Sequence, residues 1–95
     1  MAVLVGLLQV EILIAGSTSL KEKRMVLKSV KDRLRKKFNA SIAEVGFQDK
    51  WQRSALAVAV VAESEKFVQE SLNKVFTYLD NDPAFEITQY NFDYR

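Results

Sequence analysis

Nine of the chain's fourteen Lys and Arg residues fall within SLKEKRMVLKSVKDRLRKKF, residues 19–38, against two acids there, Glu22 and Asp32. The segment carries net +7, while the rest of the chain holds five bases and ten acids. Cations packed this densely recognise anions. Bond-making chemistry has far less to draw on. There is no Cys and no His, which removes disulfides, thiolate nucleophiles and the commonest general base and metal ligand. Carboxylates such as Glu11, Glu44 and Glu63 form no recognisable catalytic pair. The glycines, Gly6, Gly16 and Gly46, spell neither a P-loop nor a dinucleotide fingerprint. The chain therefore reads as a binding protein, not an enzyme, with no cofactor or metal expected.

The order of the cations is more informative than their number. With Leu27 at the centre of a buried helix face and 100° per residue, Lys21, Arg24, Lys28, Lys31 and Arg35 fall along one flank. No acid lies in that row, and Asp32 falls at its outer margin. Like charges at i,i+4 each cost about 0.2–0.5 kcal/mol, so a helix shaped for stability alone would intersperse Glu. The row spans roughly 21 Å at 1.5 Å per residue, several phosphate spacings, the footprint of a nucleic-acid binder. Ser19, Leu20 and Lys21 open the helix with free amides, a ready anion site. The plainer alternative is a well-made solvated helix. Ser19-Leu20-Lys21-Glu22 reads as a capping box, with the Ser19 hydroxyl serving the Glu22 amide and Glu22 reaching back to the Ser19 amide. Arg35, Lys36 and Lys37 suit the helix dipole at the other end.

A second polar element is QDKWQR, residues 48–53. Trp51 stands there among Gln48, Asp49, Lys50, Gln52 and Arg53. A Trp in a hairpin tip commonly folds back onto the core. The alternative is a stacking surface for a base, with Arg53 or Lys50 on phosphate.

Elements must bring these segments together. Residues 3–15 alternate as a strand, with Leu8, Val10, Ile12 and Ile14 on one face and Leu7, Gln9, Glu11 and Leu13 on the other. The apolar start has no charged leader region and is too short to span a bilayer, so a strand in a cytoplasmic protein is expected. A helix follows over 20–38, with Leu20, Leu27, Val30, Leu34 and Phe38 in one arc and Asn39 as a left-handed stop. Residues 40–47 and 54–62 read as strands. A second helix over 65–80 buries Val68, Leu72, Val75 and Leu79 behind a Ser64 N-cap, and Pro83 enforces its end. Residues 84–94 form a last strand. The order β-α-β-β-α-β in 95 residues predicts one ferredoxin-like α+β domain, an antiparallel four-stranded sheet with two helices on one face. That topology sets the start of the basic helix beside QDKWQR.

RNA-recognition motifs share this topology but carry aromatics on the open face of the central strands. Here those positions hold Leu7, Gln9, Glu11, Ala55, Ala57 and Ala59. The face would suit a second sheet or a small ligand, so a homo-oligomeric regulatory or ligand-binding module is the alternative function. A membrane role is weak, because the basic helix needs its apolar face for the core.

SLKEKR, FNASIAEV and QDKWQR together, in that order, resemble the YlxP-like family of small bacterial proteins of unknown function, over nearly the whole chain. The resemblance implies a ferredoxin-like fold. It also implies a role in ribosome maturation or translation, since members are often encoded near translation initiation factor two and ribosome-binding factor A. The family's motif positions fall on Ser19, Leu20, Lys21, Lys23 and Arg24, and on Asp49, Trp51, Gln52 and Arg53, with no catalytic residue assigned. The leading expectation is an RNA- or ribosome-associated protein that contacts its partner through Lys21, Arg24, Lys28, Lys31, Arg35, Trp51 and Arg53.

Overall fold

A computed structural model describes residues 2–95. The elements are β1 (Leu4–Leu13), α1 (Leu20–Lys37), β2 (Ser41–Gly46), β3 (Arg53–Ala62), α2 (Glu65–Asp80) and β4 (Glu86–Tyr94). The strands form one antiparallel sheet in the order β2-β3-β1-β4. This is the α+β ferredoxin-like arrangement that the alternation of apolar residues predicts.

Both central strands are amphipathic in strict alternation, and that decides which face meets the helices. Leu8, Val10, Ile12 and Ile14 from β1 and its exit, with Leu56, Val58 and Val60 from β3, are buried. They pack under Leu27, Val30 and Leu34 of α1 and under Val68, Leu72, Val75 and Leu79 of α2. The close approach of α2 depends on Gly6. A Cβ there would collide with Val68 and lie 2.7 Å from the Leu72 Cδ1.

Two local expectations need correction. Asn39 is not a left-handed stop. The helix ends at Lys37 with Phe38 in extended conformation, φ −128°, its N–H bonded to the Leu34 carbonyl. Among described non-glycine residues, only Phe47 has positive φ, at 58°. At the other end, Ser19 caps as expected, its hydroxyl accepting from the Glu22 N–H at 3.1 Å. The Glu22 carboxylate, however, reaches past Ser19 to the Thr18 N–H at 2.6 Å and the Thr18 hydroxyl at 2.7 Å. Thr18 offers that carboxylate two donors, its N–H and its hydroxyl, where Ser19 would offer one. Ser64 caps α2 by accepting from the Phe67 N–H at 3.3 Å.

No helix is long and apolar enough to cross a membrane. Among the described residues, no cluster of three Asp or Glu side chains is placed to hold a metal ion.

A candidate nucleic-acid interface

The β1–α1 loop and the β2–β3 loop meet at one end of the sheet. The Ile14 N–H donates to the Gln52 carbonyl at 2.7 Å, and the Gln52 side-chain amide donates to the Ala15 and Ser17 carbonyls, each at 3.1 Å. The strongest tie comes from Lys23, which is only 1% exposed. Its ammonium donates to the carbonyls of Phe47 at 2.7 Å, Arg53 at 3.1 Å and Gln48 at 3.3 Å. It also lies 3.0 Å from the Glu44 carboxylate, which accepts from the Ser54 hydroxyl at 2.7 Å. A buried ammonium is tolerable only when its charge and its protons are satisfied, and here both are. Lys23 thus pins both ends of the QDKWQR loop to the first turns of α1.

Sequence reasoning counted Lys23 as one more base. Its signal was the spacing Lys23, Leu27, Val30, Leu34, steps of four, three and four, which sets it on the buried stripe. Phe47 was missed too. Its left-handed backbone costs roughly 1–3 kcal/mol for a non-glycine residue and persists only where the surroundings impose it. Lys23 and the Lys50 N–H both hold its carbonyl, and the Arg53 guanidinium lies 4.2 Å over its ring.

So anchored, the loop presents Trp51 outward. The indole is 55% exposed and does not fold back to cap the core. Leu13, Lys50, Gln52 and Arg53 border it in an open hollow of about 470 Å³. Arg53 is partly committed, pairing with Glu11 at 3.1 Å while keeping half of its side chain exposed.

Along α1, Lys21, Arg24, Lys28 and Arg35 are exposed, and Lys31 is half-buried because it borders the apolar arc. Lys21, Arg24 and Lys31 make no ion pair among the described residues. Lys28 pairs with Asp32 at 2.8 Å, so the row is less free of acid than its spacing implies. That pairing holds the Asp32 carboxyl below its usual range. Arg35 donates to the Ile42 carbonyl at 3.3 Å. Outside the row, Met25 is 64% exposed beside Lys28 and Lys36, an apolar contact set among cations. Arg33 takes no part: it is tied to Asp82 at 2.9 Å, which raises its already high pKa further.

The fold and this end define a class by architecture: a small α+β sandwich with exposed cations along one helix flank and an exposed indole on one hairpin loop. Residues 5–92 match the family described as a protein of unknown function, DUF503, and the chain belongs to it. It is also similar to the uncharacterized protein YlxP of Bacillus subtilis strain 168, at 40% identity over 85 residues, covering 90% of this chain and 92% of that one.

Proposed function

We propose that this is a non-enzymatic, cytoplasmic RNA-binding protein that works on the ribosome or its precursors. The observation that carries this reading is Trp51. A half-exposed indole on a loop clamped by a buried lysine, beside a helix flank rich in cations, is pre-organised for contact at little entropic cost. The flank would follow phosphates without reading sequence, and the indole would stack on an unpaired base. In this role Arg53 would act through its exposed half while Glu11 holds its orientation.

Trp51 is the chain's one tryptophan, so its fluorescence reports on its own site. Titration with single-stranded RNA at low salt should quench and shift the emission, and the protein should sediment with ribosomal subunits until salt is raised. Unchanged emission, with no association at low salt, refutes the reading.

A further inference from the structure

The helix-free face of the sheet is the largest surface the fold leaves without a covering layer. Its centre is Ala57, flanked by Gln9 on β1 and Ala43 on β2, with Ala55 and Ala59 before and after it. Val45 and Val61 stand out from the same face at 53% and 64% exposure. Of its ionised groups, Glu11 pairs with Arg53 at 3.1 Å and Asp93 with Arg95 at 2.9 Å, while Glu86, opposite Leu13 at the start of β4, has no ion pair among the described residues. The molecule is strongly basic along α1, yet the centre of this face is uncharged and small-residued.

We infer that a second copy of this chain covers it, sheet against sheet. Size supports that occupant. At about 3.3 Å per residue and 4.8 Å between strands, the four strands span roughly 550 Å². Two such faces bury about 1,100 Å², above the roughly 1,000 Å² that separates specific interfaces from incidental ones. Charge supports it as well. Two basic copies repel each other along α1, whereas on this face the unpaired carboxylate of Glu86 lies at the end of β4, away from the Ala57 centre. Alanines at the centre let two twisted sheets approach to the usual 10 Å or so and pack at about −30°. Gln9 and Asn91, opposite each other on β1 and β4, make no side-chain hydrogen bonds among the described residues and are placed to bond their symmetry mates. The dimer is then a four-layer sandwich with both α1 helices on its outer surfaces, so it carries two copies of the cationic flank. That last consequence rests on the proposed function; the dimer does not.

Sedimentation equilibrium without RNA tests it. The wild type should approach twice 10.8 kDa in the micromolar range. Ala57→Glu should keep the wild-type far-UV dichroism and sediment as a monomer, because it sets two carboxylates face to face. If that variant does not fold, Gln9→Lys, at an exposed central position, makes the same test by like-charge repulsion. A wild type that stays monomeric to high micromolar concentration overturns the inference, as does a folded charge variant that remains dimeric. Since no RNA is present, the outcome is independent of RNA binding.

Discussion

Two helices lie on the same sheet face and are held there by different physics. α2 is fixed by packing: four aliphatic side chains, Val68, Leu72, Val75 and Leu79, over β1 and β3, brought close by Gly6. α1 buries three aliphatics and one lysine, and it lies mainly over the edge strand β2. Dispersion and burial tolerate small adjustments, so α2 is a lid on the core. An ammonium shared among three carbonyls and a carboxylate tolerates much less, so α1 is coupled to the geometry of the β2–β3 loop. The contrast separates a helix seated by packing alone from one tied to the exposed β2–β3 loop.

The sharpest way to break this contrast is Lys23→Met. Removing one member of a buried pair typically costs about 3–5 kcal/mol, and here it also leaves carbonyls unsatisfied. Urea unfolding should show a loss of that size. Hydrogen exchange at the Lys50 and Ile14 amides, which donate to the Phe47 and Gln52 carbonyls, should accelerate, whereas Leu72→Ala, of similar cost, should leave those amides protected. A loss under 1 kcal/mol would mean that α1 is held as α2 is.

Gly6→Ala probes the other helix. The added methyl meets Val68 and Leu72, and overpacking of this kind costs about 1–3 kcal/mol. A neutral result in thermal unfolding would show that α2 can retreat freely and that its close seat is incidental.

Smaller effects belong to the α1 entry. Ser19→Ala should cost about 0.5–2 kcal/mol, measured by denaturant titration. Glu22 adds a pH dependence. The Thr18 N–H, and then the Thr18 hydroxyl, hold its carboxyl below the usual range. A group with a depressed folded pKa contributes stability above its unfolded pKa and loses it as pH falls through the folded value. Glu22→Gln should therefore flatten the acid limb of the stability curve, below the ordinary carboxylate range, and leave the neutral region nearly level. An unchanged acid limb would remove Glu22 from the cap.

The smallest effect on stability should come from the flank itself. Lys28→Gln with Lys31→Gln should stay within about ±0.5 kcal/mol, the Lys28–Asp32 pair being a surface contact. RNA affinity should fall, and the slope of log K against log salt should shrink by about 0.7–0.9 per lost phosphate contact. Lys66→Gln with Lys74→Gln on α2 removes the same charge from the other helix. Equal losses in both double variants would mean that net charge, not position, governs binding.

Much of this architecture was legible in the chain. Alternation in β1 and β3 chose the buried face, the four-three-four spacing of Val68, Leu72, Val75 and Leu79 set the buried stripe of α2, and Ser19 and Ser64 marked both helix starts. These are local properties, because a strand or helix imposes its period on neighbours a few residues apart. What the chain could not declare was which charges are spent inside the fold. Lys21 and Lys23 are two residues apart and chemically identical, yet one is exposed and the other is the most buried charge in the molecule. The partners of Lys23 lie 24, 25 and 30 positions away, and those of Arg33 and Arg53 49 and 42. The outward pose of Trp51 has the same origin. Composition and periodicity determined the sandwich, the basic segment and the absence of Cys and His. Only the tertiary structure decided which cations bind the protein to itself and which stay exposed, because a charge's role depends on the groups that chain closure brings within about 3 Å of it.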